Sequence, residues 1–166
     1  KLVEDQGPKV LRLAVIVRVM QGLLAERVPV RNSRAVLEAL AEAAPRTQDP
    51  QLLIAQVRVA LGRQIVQDIA GLGEELPVIT LDPELERLLS NSLAGNATTT
   101  PGLEPGLAER LQQSLVDAAQ RQERGGQPAV LLTPPNLRAT LSRFLRVTVP
   151  SLYVLAWNEI PETRKV

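Results

Sequence analysis

A change of periodicity at Gly71–Gly73 constrains this chain more than any other feature. Upstream of it the apolar residues recur at the spacing of helices; downstream, short continuous apolar runs alternate with helical segments. A switch of that kind predicts a mixed α+β and α/β fold. We expect a small helical subdomain over residues 1–71, then an α/β subdomain over residues 72–166 whose short, mostly parallel sheet is flanked by helices.

In the first part, Leu11, Val15, Val19 and Leu23 mark the buried line of one helix, and Leu13, Ile16, Met20 and Leu24 widen it. Pro29 disfavours helical geometry at Val28 and breaks the pattern. Asn32 or Ser33 then caps a second helix, Arg34 to Ala44, with Val36, Leu37 and Leu40 inward. Pro45 ends it, and Asp49 with Pro50 restarts the chain as N-cap and first helical residue. A third helix is expected from Pro50 to about Ala70. Leu53, Val57, Leu61 and Ile65 step by four along one of its faces, with Arg58 and Arg63 elsewhere on the wheel. Gly71 and Gly73 close it as a glycine cap.

In the second part, "PVITL", "PAVLL" and "LYVLAW" read as strands. Helices are expected over "PELERLL", over "PGLAERLQQSLVDAAQRQ" with Leu107, Leu111 and Leu115 on one face, and over "NLRATLSRFLR", capped by Asn136. The polar, Gly- and Pro-rich "SNSLAGNATTTPGLEPG" is expected to be a flexible surface loop.

With 45% apolar residues but only three aromatics, Phe144, Tyr153 and Trp157, the core has to be aliphatic. Nineteen basic against eighteen acidic residues argue against a nucleic-acid partner, as does the lack of aromatic stacking platforms. Without a single Cys or His, the chain has no zinc site built on those residues, no thiol chemistry and no His-based triad. It also has no disulfide, which suits a cytosolic location. The most apolar stretch, "LRLAVIVRVM", is interrupted by Arg12 and Arg18 and falls short of the ~20 residues that a membrane span requires. We expect a soluble piece of a longer protein, since residue 1 is Lys and the sequence opens in mid-pattern.

Asp82 follows a strand, a position where α/β enzymes place catalytic acids, but Pro83 comes next, with Glu84 and Glu86 in the first helical turn. That is the pattern of an N-cap, and carboxylates there suit the positive end of the helix dipole. The chain offers no His, and its lysines are confined to Lys1, Lys9 and Lys165. The cap reading is preferred; a small α/β enzyme using Asp82 and the "TPPN" loop at Thr133–Asn136 is the alternative. "ERGGQPAV" has a Gly pair but no phosphate-loop pattern. No catalytic, cofactor-binding or metal-binding residue is expected.

Five stretches occur in order with sensible spacing: "PKVLRLAVIVRVMQGLLAERVPVR", "RAVLEALAEAAPRTQDPQLLIAQVRVALGRQI", "LPVITLDPELERLL", "GQPAVLLTPPNLRATLSRFLR" and "VLAWNEIP". Together they closely resemble the carboxyl-terminal cytoplasmic region of the export-gate family of type III secretion systems, which includes the flagellar export gate. The resemblance covers nearly all of the chain. Departures are local: Arg31-Asn32-Ser33 stands where the family commonly has Arg-Asp-Leu, which bears on any charge contact of that Asp, and Ala156-Trp157 replaces Ser-Tyr. The "GRQI" run leans towards a virulence injectisome rather than a flagellum.

This resemblance implies a non-enzymatic transport component, with a membrane half upstream in the bacterial inner membrane and cytoplasmic parts that form a nonameric ring. The ring would receive secretion chaperones with their substrates and meet other export-apparatus proteins. The two subdomains would match the third and fourth cytoplasmic subdomains of the family. A ring needs two different faces of each subunit to meet. Arg31, Arg34, Arg58, Arg63 and Glu38 are the candidate interface residues, arginine being suited to ion pairs across interfaces.

Overall fold

The structure, a computed structural model, describes residues 11–95 and 105–166, the side chains of 92–95 and 105 excepted. The chain divides into two compact units between Asp68 and Ile69. The Gly71–Gly73 stretch lies just inside the second.

The first unit is helical: α1 (Leu13–Ala25), α2 (Ser33–Ala43), α3 (Pro50–Ala60) and α4 (Gly62–Ala70), the last running on past the division. Both α1 and α2 pack on α3. Its core is aliphatic, with Val19, Leu23, Val36, Leu40, Leu53, Val57 and Val66 out of contact with water. The α1–α3 approach is close: a Cβ on Gly22 would come 2.5 Å from Ile54 Cδ1. Local chemistry sets the starts of helices as expected. Asn32 Oδ1 accepts from Ala35 N at 3.2 Å, and Asp49 Oδ1 accepts from Gln51 N at 3.0 Å.

Three expectations fail here. The single helix from Pro50 to Ala70 is two helices, broken at Leu61, although Leu53, Val57, Leu61 and Ile65 are all buried as predicted. Leu13, Leu24 and Leu37, assigned to buried stripes, are exposed. Arg58, placed away from the buried face, is only 2% exposed. Ile54, Arg58, Gly62 and Val66 form a second buried line beside the first, so the buried face is wider than one column of side chains.

The second unit is built on three strands, β1 (Ile79–Thr80), β2 (Val130–Thr133) and β3 (Tyr153–Ala156), parallel and in the order β1-β2-β3. Ile79 pairs with Leu131, and Leu131 with Val154. Helices α5 (Pro83–Gly95) and α6 (Pro105–Arg124) connect β1 to β2, and α7 (Pro135–Leu145) connects β2 to β3. A 3₁₀ turn, Trp157–Glu159, follows β3. Leu89, Leu111, Leu115, Leu131, Leu137, Leu141, Leu145 and Val154 share one core. A short, parallel, helix-flanked sheet is therefore present, as the alternation of strands and helices requires.

Two local expectations are corrected in this unit. Ser90–Gly95, expected as loop, continue α5, while residues 96–104 of that predicted loop lie outside the described residues. Asn136 does not cap α7: the helix starts at Pro135 with Pro134 as N-cap, and Asn136 Nδ2 instead donates to Ser90 Oγ on α5 at 3.2 Å. Proline at the first helical position fixes the start without a side-chain acceptor.

Candidate subunit-interaction surface

In parallel sheets, chemistry gathers at the carboxyl ends of the strands, where this chain offers Asp82, Thr133 and Glu159. Asp82 Oδ1 accepts from Glu84 N at 2.8 Å and Asp82 O from Glu86 N at 3.0 Å, which is the cap geometry read from "LDPE". The neighbouring Glu84 pairs with Arg87 one turn on. Thr133 is buried and its Oγ1 donates to Pro134 O at 3.2 Å. Among the described residues, no group of three or more acidic side chains is placed to hold a metal ion.

Glu159 has a larger structural task that the sequence reading missed. Tyr153 N donates to Ala129 O at 2.9 Å, so Tyr153 and Leu155 turn their backbone groups towards β2. Val154 and Ala156 therefore turn theirs to the other side, where β3 has no neighbouring strand among the described residues. Arg138 Nη1 on α7 donates to Val154 O at 3.3 Å, and Glu159 Oε1 accepts from Ala156 N at 3.1 Å. The two side chains also face each other, Arg138 Nε to Glu159 Oε2 at 3.6 Å, at 5% and 2% exposure. This buried ion pair stands in for a fourth strand along the edge of β3. Two of the five quoted stretches, "GQPAVLLTPPNLRATLSRFLR" and "VLAWNEIP", meet in it. The available signal was Arg138 lying next to Leu137 on the inward line of α7, and a carboxylate placed directly after a strand.

The five candidate interface residues are not equivalent. Arg31 Nη2, just ahead of α2, reaches Asp68 Oδ1 of α4 at 2.8 Å. Arg34 Nε lies 3.6 Å from Glu38 Oε2 one turn along α2, both well exposed. Exposed pairs of this kind are worth only ~0–1 kcal/mol and exchange readily for other partners. Arg63 is exposed on α4. Arg58 is buried on α3, unlike the other four. Arg31, Arg34, Glu38 and Arg63 remain as accessible charges, all in the first unit.

The model of one protein family matches residues 1–165, almost the entire chain. The chain belongs to the FHIPEP family. Within it, the chain is 49% identical over 166 residues to the flagellar biosynthesis protein FlhA of Proteus mirabilis, matching all of this chain and 23% of that protein. The chain thus spans about a quarter of the length of its curated relatives. Among solved structures, nonameric EPEC SctV-C is similar at a TM-score of 0.81 and 25% identity, over 93% of this chain and 47% of that one. Chlamydia pneumoniae CdsV, in its complex with CdsO, is similar at 0.78 and 25%, over 93% and 44%. The export-gate family expected from the five motifs is the family found.

Proposed function

We propose that this chain is the cytoplasmic, ring-forming end of a type III secretion export gate, and that it docks chaperone–substrate complexes during protein export across the inner membrane. The observation that carries this reading is the family match over residues 1–165, joined to a fold shared with a nonameric relative. Self-association into a ring of like subunits follows by similarity, and the CdsV–CdsO complex supports contact with other export-apparatus proteins. No helix among the described residues is long and apolar enough to cross a membrane. Attachment to the inner membrane would then come from other parts of the full-length protein, with this chain on the cytoplasmic side. The proposed role is transport rather than catalysis, a reading supported by the family match and by the part that Asp82, Thr133 and Glu159 each take in holding the fold.

Of the two branches of the family, the flagellar one is better supported. Identity is 49% to the flagellar relative against 25% to the two solved relatives, and this outweighs the lean of Gly62–Ile65 towards an injectisome. The accessible charges Arg31, Arg34, Glu38 and Arg63 are the proposed subunit contacts. Reversing Arg31, Arg34 and Arg63 together in the full-length protein should abolish the large assembly that a native-mass measurement is expected to detect, and abolish export with it. Unchanged assembly would remove these residues from the interface.

A further inference from the structure

Near the end of the chain, Lys165 forms an isolated parallel bridge with Glu75, some ninety residues earlier. Leu76 N donates to Lys165 O at 2.7 Å, and Lys165 N donates to Glu74 O at 2.7 Å. Beside this bridge Arg164 Nη2 donates to Gly71 O at 2.5 Å, with a longer bond from Nη1 to Glu75 O at 3.5 Å. A turn closed by Arg164 N on Pro161 O at 3.0 Å presents both residues. Four backbone positions between Gly71 and Leu76 are therefore held by two consecutive residues. The held stretch begins directly after α4 ends at Ala70.

The stretch has little else to hold it. Leu72, between Gly71 and Gly73, is 83% exposed, and only Leu76 is buried. Gly71 sits at φ +76°, which turns the chain out of α4. On the other side, Lys165 and Val166 are exposed and Arg164 is half-buried, so no apolar side chain of the strap anchors it. Bonds this exposed to water are individually weak and open locally well before the fold does.

We propose that Arg164–Lys165 is a releasable strap that sets how much free chain separates α4 from β1. Closed, it pins residues 71–76 to the second unit. Open, residues 71–75 are free, a span that can extend to roughly 16–18 Å, while Leu76 stays buried and Gln122 Nε2 still donates to Pro77 O at 3.3 Å. Release thus lengthens the free chain after α4 without disturbing the sheet or the helices. The strap would act in the same way whatever cargo the protein handles.

Glutamyl endopeptidase tests it, because the enzyme cuts after Glu74 and Glu75, inside the strapped stretch. In the full-length protein, Arg164→Ala should speed cleavage there about tenfold, the loss of one or two net hydrogen bonds. Exchange of the Leu76 amide should accelerate to a similar degree while the Leu131 amide of β2 stays as slow as before. Arg164→Lys, which keeps one donor, should fall between the two. Equal cleavage and equal exchange in all three proteins would overturn the strap. Faster exchange at Leu131 together with Leu76 would overturn it too, since that result means general loosening rather than local release.

Discussion

At the scale of single residues, two arginines of like chemistry have opposite consequences. Arg138 is closed into a pair with Glu159 and caps the outer edge of β3. Glu159→Ala removes the acceptor of Ala156 N and leaves a buried guanidinium without its carboxylate, so it should cost about 3–5 kcal/mol in denaturant unfolding. Arg34→Ala, which breaks only an exposed pair within one helix, should cost ~0.5 kcal/mol or less. Asp82→Asn should leave stability within a few tenths of a kcal/mol, because Asn caps as well as Asp, whereas Asp82→Ala should lose ~1 kcal/mol. A catalytic role for Asp82 would instead show as loss of export in Asp82→Asn at unchanged stability. Burial also changes how charge reversals are read. Arg58→Glu puts an acid at a buried position of α3 and should unfold the first unit, so Arg63→Glu is the informative variant at a proposed interface.

At the scale of elements, what could be read from the sequence was decided by signals within a few residues. The caps at Asn32, Asp49 and Asp82 are local chemistry and are found where their side chains predict. The break between α3 and α4 was hidden because the buried residues keep their spacing of four straight through it, from Leu53 and Val57 to Leu61 and Ile65. Only the low helix propensity of Gly62 marked the place. The exposure of Leu13, Leu24 and Leu37 was hidden for the converse reason: periodicity tells which residues share a face, and packing decides which apolar faces are covered. Gly71 was legible as a terminator, and its φ of +76° explains why it is glycine. Gly71→Ala should therefore cost about 1 kcal/mol, measured as a lower denaturation midpoint at unchanged slope.

At the scale of the whole molecule, the parallel sheet was legible because short, mainly apolar strands alternate with helices, β1 and β2 each being followed by one, which leaves few topologies open. The buried Arg138–Glu159 pair was not, since nothing in a one-dimensional pattern brings together residues from a helix and from a turn beyond the next strand. The proposed subunit interface would belong to the same class. Its contacts would join different copies of the chain, and exposed charges such as Arg31, Arg34, Glu38 and Arg63 carry no sign of their partners in the sequence. Exchange between relatives tests the export role directly. The matching segment of Proteus mirabilis FlhA, 49% identical over the whole of this chain, can be replaced by these 166 residues and flagellar export measured. Export restored to a substantial fraction of the native level is the predicted result. A chimaera that accumulates and melts normally yet exports nothing would contradict the assignment of this chain to a flagellar export gate.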